Sequence, residues 1–489
     1  MKRCLPFAPL LTPMFALPLA GCMSFAPEPE VPPVAAAIPA SFPAVADAGE
    51  YQPQAWWSDF QDPVLDTLVE RALASNLDIA QAAARVERAS AQARIARAAL
   101  LPSVEGTGGA SYSSTPVSGG AFANFPGAPT RIDNQTYSLG LGASYEVDLF
   151  GRVRGDLAAA RADALAAQQD YRAVRLATAA ETISAYFDTV DARAQIATTL
   201  QTLDVLGDRA ERTEERYRRG LSGSFELYQV RQDLRSVEAS LPQREIVLDA
   251  AENRIGLLLS DYPEPVEALL AAPLTPRLVF EPVPAGLPVE LLGQRPDVAA
   301  AWARLEAARE RIGARRAERF PAIRLNAQTG TQGGSPIDLF DITGNWLLNL
   351  GANLAAPIFD AGRISANIRA ARATYDEAAA AYGETVLTAY REVALASGNY
   401  EEQRQRYRLI LAQLDEARAS RDLQAERFAA GVGDYVSYLD SLRALHQVES
   451  SLSAAGRDVA LARLGVHRSL GGDWEGTGAA IMDNEGGSE

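Results

Sequence analysis

The chain has little of what most enzymes use. It contains a single lysine, Lys2, two histidines, His446 and His467, and two cysteines, Cys4 and Cys22. Cys4 lies within the leader described below, so one cysteine remains, and disulfide and cysteine-metal readings fall away. His446 sits within a helical pattern with no cysteine or carboxylate at metal spacing, so no metal is expected. There is no glycine-rich phosphate loop, nucleophile elbow or histidine triad, and the SGS and GVGD stretches read as turns. These absences exclude the common enzyme classes and imply no cofactor. Beyond the leader, no run approaches the roughly 18 apolar residues of a membrane-spanning helix, so any crossing would be made by strands. Acidic residues outnumber basic ones, 62 to 46, and the net charge of -16 disfavours nucleic acid or an anionic lipid surface as partner.

The first 21 residues, with Lys2 and Arg3 before an apolar stretch, read as a signal peptide. They end in Leu19, Ala20 and Gly21 before Cys22, which resembles the bacterial lipobox, so Cys22 is the expected lipid attachment site. Met23 after it resembles an outer-membrane address. Residues 22–55, rich in proline, alanine and glutamate, are expected to behave as an extended tether with no core.

At 489 residues and 47% hydrophobic content the chain can bury large cores, and it does so twice over. GRVRGDLAAARAD from Gly151 aligns with GRISANIRAARAT from Gly362, a shift of 211 that holds at Tyr171 and Tyr382 and at Gly220 and Gly431. Upstream the shift is 219, pairing Leu101 and Pro102 with Phe320 and Pro321. A register held this far is an internal duplication. Repeat one is assigned to 56–262, a linker with seven prolines and no clear period to 263–288, repeat two to 289–472, and a flexible tail to 473–489.

Within repeat two, Ile364, Ile368, Ala371, Tyr375, Ala378, Tyr382, Ala389, Val393, Tyr400 and Leu414 follow a heptad seam without proline. The segment 364–428 is therefore expected to be one helix, roughly 95 Å long at ~1.5 Å per residue. A rod of that length belongs in a bundle. Its counterpart is 156–219, with return helices over 225–259 and 435–470 and a pre-strand helix over 297–319.

Between the helices the period changes to two. In the first hairpin, 103–149, Tyr137, Leu139, Leu141, Ala143, Tyr145 and Val147 alternate with polar or small residues, and Val104 and Tyr112 share a face of the preceding strand. Alone this fits a transmembrane strand pair or a half-buried soluble hairpin. The second hairpin, 322–359, repeats the pattern and favours the membrane. Four strands cannot close a barrel, and an open pore needs more than eight. With lipid-exposed edges forbidden, three copies with twelve strands are the smallest arrangement expected to leave a channel. Each repeat supplies two helical columns, so a homotrimer has twelve.

At LLGQRPDVAAAWARLEAARERIGARRAERFPAI, from Leu291 to Ile323, the sequence resembles the TolC family of outer-membrane channels, nearest the lipoprotein branch of NodT/OprM-like efflux factors. YEVDLFGRVR at Tyr145, APIFDAGR at Ala356 and LGGDW at Leu470 extend the resemblance over nearly all of the mature chain. Trp302 departs from it, standing where the family usually has Glu. The resemblance implies an α+β membrane channel: a trimeric 12-stranded β-barrel in the outer membrane, continued by a 12-helix α-barrel in the periplasm. It implies passive export of drugs or other small molecules, with a periplasmic adaptor protein and an inner-membrane transporter as partners.

By the same resemblance, the tip between each long helix and its return helix docks the adaptor, through Tyr217, Gly220 and Leu221 in repeat one and Phe428, Gly431 and Val432 in repeat two. The closed aperture falls on Val436, Asp440 and Glu226. A carboxylate ring there would repel itself and prefer cations, although each carboxylate alone also reads as an exposed first-turn residue. Arg218 and Arg219 are candidate salt-bridge partners at the tip. Two other functions fit parts of the pattern: an outer channel for type I protein secretion, and a non-conducting coiled-coil scaffold. The alternating polar strand faces weigh against the scaffold.

Overall fold

The computed structural model describes residues 25–33, 37, 39, 56–116, 131–283 and 295–471. Cys22 and the tail after 472 lie outside them. In chain order the elements are α1 (Pro63–Ser75), α2 (Leu77–Ala98), β1 (Ser103–Pro116), β2 (Arg131–Val147), α3 (Arg152–Arg218), α4 (Ser224–Leu259) and α5 (Pro263–Leu270). Then come α6 (Pro296–Ala317), β3 (Ala322–Gly333), β4 (Trp346–Ala355), α7 (Arg363–Ala429) and α8 (Tyr435–Ser469). Among the described residues no helix is long and apolar enough to cross a membrane.

Both long helices have 67 residues, about 100 Å each. α3 begins four residues before the expected Asp156 because Asp148 caps it, accepting from the Val153 and Arg154 amides at 3.2 and 2.9 Å. Asp360 does the same for α7, accepting from the Ile364 amide at 2.7 Å.

One compact unit contains 88–164 and 303–379 with the start of the chain. Its four strands form an antiparallel sheet in the order β1-β2-β3-β4. Ser103 opposes Ser144 in the first hairpin, and Ala322 opposes Ala355 in the second. The hydrogen-bond registers thus repeat with the shifts of 219 and 211 seen in the sequence. Directly opposed residues share a face. Val104 lies opposite Ala143, Tyr145 opposite Leu325, and Leu325 opposite Ala352, which gathers the apolar sets of all four strands on one face. β4 stops at Ala355, short of the expected 359, because its partner β3 starts at Ala322. Where β2 meets β3, a Cβ on Gly140 would lie 2.7 Å from the Thr329 carbonyl oxygen, so only glycine fits.

The expectation of a loose tether fails at its start. Residues 25–30 lie in this unit, and their backbone is held by α6: Arg316 donates to the Phe25 carbonyl at 2.9 Å and Arg309 to that of Pro27 at 3.3 Å. Phe25 stacks on Phe320 at 4.9 Å, and Phe150 stacks on Phe320 at 4.7 Å. Gly313 permits this approach, since a Cβ there would lie 2.7 Å from the Ala26 amide nitrogen.

The second unit contains 31–87, 165–302 and 380–489. Its core joins Phe60, Leu65 and Leu68 to Ile183, Tyr186, Phe187, Ile255 and Leu270. Asp62, 2% exposed, caps α1 through the Val64 amide at 2.8 Å and accepts from the Tyr186 hydroxyl at 2.6 Å and the Thr275 amide at 3.0 Å. The segment expected to be periodless opens with α5: prolines begin it, Val266 and Leu270 bury one face in the core, and Arg193 donates to the Leu270 carbonyl. Trp302 meets Tyr382 edge-on at 5.3 Å, an apolar contact that a Glu could not make.

Replacing Gly313 with Leu should expel residues 25–30 from α6 and speed proteolytic cleavage of that segment by about tenfold or more. Unchanged protection would mean that the segment is held by something other than this seat.

Candidate functional site: the helical tip

The tip is made where α3 turns into α4 and α7 into α8, all within the second unit. Each long helix ends in a glycine with positive φ, +71° at Gly220 and +73° at Gly431. Around each, two backbone bonds close the helix: Gly220 donates to Tyr217 and Leu221 to Arg216, while Gly431 donates to Phe428 and Val432 to Arg427. This pattern uses the last free carbonyls and needs the left-handed conformation that glycine adopts without strain. Leu221 and Val432, next in sequence, are left exposed at the tip. The starts of the return helices differ. Asp434 caps α8, accepting from the Ser437 amide at 2.8 Å and its hydroxyl at 2.7 Å, and these bonds hold its carboxyl below the ordinary range. Gly223, at the start of α4, offers no side chain.

The proposed aperture residues are all solvent-accessible within the chain: Val436 and Asp440 are exposed and Glu226 partly so. Asp440 is paired with Arg443 one turn along α8 at 2.9 Å, and Arg443 also binds Asp233 of α4. A cavity of about 250 Å³ lies beside this bridge, lined by Thr202, Asp233, Leu439, Leu442, Arg443 and His446. His446 lies 3.0 Å from the Thr202 hydroxyl through Nδ1, and burial, aided by Arg244, holds its pKa below the usual value.

Arg218 and Arg219 do not tie helices together. They pair with Glu214 and Glu215 on their own helix. The pair that crosses from α3 to α4 is Glu214 with Arg231, at 2.8 Å, and Arg231 is the main cause of the lowered Glu214 pKa.

One cross-repeat contact at the tip carries no mark in the sequence. Arg209 of α3 places its guanidinium 4.7 Å from the Phe428 ring, 4.8 Å from Tyr438 and 5.3 Å from Tyr435. Phe428 stacks on Tyr438, and Tyr435 is 6% exposed. Burial pushes the Tyr435 phenol up; Arg209 opposes this, and Asp233 and Glu226 add to it. The two tyrosines were visible at helical spacing in YVSYLD, but nothing marked Arg209 as their partner. At Gly433 a side chain would be confined, since a Cβ there would lie 3.0 Å from that of Arg427. Ser222, partly exposed, is not so confined.

A duplicated hairpin with one apolar face, carried on long paired helices, defines a strand-built membrane channel. This chain belongs to the outer membrane efflux protein family, whose model matches residues 68–260 and 287–472. It is 31% identical over 428 residues to the pyoverdine export outer membrane protein OpmQ of Pseudomonas aeruginosa, covering 86% of this chain and 87% of that protein. The cation efflux system protein CusC of Escherichia coli is 31% identical over 473 residues, covering 94% and 97%. The outer-membrane channel OprN superposes with a TM-score of 0.83 at 28% identity, covering 92% of this chain and 99% of that one. The protein is thus an outer-membrane efflux channel and not an enzyme.

Replacing Arg209 with Gln should remove about 1–2 kcal/mol of cation–π attraction. Amide exchange at Leu439 and Leu442 should then quicken by roughly fivefold to thirtyfold. Exchange no faster than in the parent would deny Arg209 any part in holding the tip.

Proposed function

We propose that three copies of this chain form the outer duct of a tripartite pump that exports small molecules passively. The observation that carries this reading is the sheet, which has an apolar face, a polar face and two unpaired edges. Three such sheets supply twelve strands, enough to enclose water. The names of relatives that export pyoverdine or cations favour small solutes as cargo. An inner-membrane transporter drives transport, and a periplasmic adaptor joins it to the duct at the tip, contacting Tyr217, Gly220, Leu221, Phe428, Gly431 and Val432. Cys22, acylated, anchors the chain to the inner leaflet of the outer membrane.

Val436, Asp440 and Glu226 line the closed aperture, and the three-fold repeated carboxylates favour cations there. Opening widens the tip as an iris. The small seam residues Ala371, Ala378, Ala389, Ala396 and Ala417 let the helices re-pack, and the cavity beside Arg443 gives that side chain room to move.

In planar bilayers, Asp440→Ala combined with Glu226→Ala should raise single-channel conductance and lower cation preference. An unchanged trace would remove both residues from the gate.

A further inference from the structure

We infer that α6 and α7, just below the strand roots, hold an anionic phospholipid of the inner leaflet, its phosphate between Arg316, Arg319 and Arg372 and an acyl chain over Ile358 and Phe359. This rests on the proposal that the sheet lies in the outer membrane, and adds to it a lipid of stated charge and place.

The chain as a whole is acidic, with a net charge of -16, and repels an anionic surface. Beside the strand roots the balance is reversed. In 94–105, 146–163, 309–324 and 360–372, which flank the four roots, fourteen arginines stand against eight carboxylates. All of these segments lie within one compact unit.

Several of the arginines are neutralised there, Arg311 and Arg315 by Asp163 and Asp156 of α3, and Arg154 by Asp148. Arg316, Arg319 and Arg372 differ: among the described residues none of the three forms an ion pair with a carboxylate. Glu318, between the first two in sequence, is held by Arg315 and Asn367. Burial, and then the positive charges of Arg372 and Arg319, hold the Arg316 guanidinium below its ordinary value. Three like charges gathered in this way repel one another, and a phosphate between them relieves the repulsion.

A second observation is a cavity of about 210 Å³ that Arg319 shares with Ile358, Phe359, Asp360 and Ser365. The Asp360 carboxylate is engaged in capping α7, accepting from the Gly362 amide at 3.0 Å and the Ile364 amide at 2.7 Å, so the polar end of the cavity stays basic. The other end is apolar. Ile358 and Phe359 are 98% and 91% exposed, and they follow Leu350, Ala352 and Leu354 of the apolar face of β4. A guanidinium beside a bare apolar pair matches a phosphodiester and the start of its acyl chain, whereas a soluble phosphate would leave the apolar pair uncovered.

Height and side agree. Arg316 donates to the Phe25 carbonyl at 2.9 Å, and Cys22 stands three residues earlier, within about 10 Å along the chain. An acylated Cys22 therefore sets the headgroup plane near this turn of α6. A segment leaving the leaflet can descend only outside the duct, so the face that carries Arg316 is the outer one. Charge then selects among lipids, because an ethanolamine headgroup brings an ammonium to three guanidiniums and a glycerol headgroup does not.

Native mass spectrometry of the full-length protein, released from detergent with phosphatidylglycerol or phosphatidylethanolamine added, tests this. The parent should retain phosphatidylglycerol, one per copy, about tenfold to thirtyfold better than phosphatidylethanolamine. Arg319→Gln with Arg372→Gln, which leaves Arg316 on Phe25, should reduce phosphatidylglycerol to the phosphatidylethanolamine level. Phe359→Ser should weaken both lipids alike, and Arg218→Gln with Arg219→Gln, at the tip, should change neither. Equal retention of the two lipids by the parent, or no loss in the double glutamine variant or in Phe359→Ser, overturns the site. Displacement of the lipid by millimolar glycerol 3-phosphate assigns the arginines to a soluble anion and also overturns it. Particle mass and conductance report on the duct separately: three copies that conduct without preferring phosphatidylglycerol leave the duct standing, whereas a single copy that does not conduct overturns the reading on which the site depends.

Discussion

The architecture depends on one constraint: a peptide group facing hydrocarbon must find its hydrogen-bond partner within protein. Two hairpins satisfy every inner strand of this sheet, but among the described residues β1 and β4 each keep one side without a partner. Association is therefore the completion of the fold. The duplication shows again at the helical tip, where two glycine-terminated helices reverse direction by the same pair of backbone bonds.

At the tip the ion pairs and the aromatic contact act differently. Arg218 and Arg219 satisfy glutamates on their own helix, and such exposed pairs contribute about 0–1 kcal/mol each. Arg209, half-buried, instead reaches from repeat one to three rings of repeat two. At the tip this cation adds to the apolar cluster of Leu206, Val230, Tyr435 and Leu439 that joins the repeats, while Asp440 stays exposed. Asp440 is only loosely committed, because Arg443 is shared between it and Asp233.

Much of this was legible in the sequence wherever the signal was local or repeated. Strict alternation from Tyr137 to Val147 declared the face of β2, and the constant offset between Gly151 and Gly362 declared the duplication, because both depend only on periodicity. Gly220 and Gly431 were readable because a helix that reverses needs positive φ there. What stayed hidden depends on a partner far along the chain. Proline-rich composition hid α5, whose helix is secured by burial of Val266 and Leu270 against a core assembled from other segments. Arg209 looks like any surface arginine on a long helix until Phe428 and Tyr438 are brought to it. The segment beginning at Phe25 has no hydrophobic period, and its order comes from Gly313, nearly three hundred residues away.

That last feature decides where mechanical load goes. Residues 25–30 are fastened to α6 by Arg309 and Arg316, and Phe25 rests on Phe320, two residues before β3 begins. Tension on the N-terminal end of the chain is therefore delivered to the root of a strand rather than dissipated in slack polypeptide. Residues 25–30 and the root of β3 are thus one packed part.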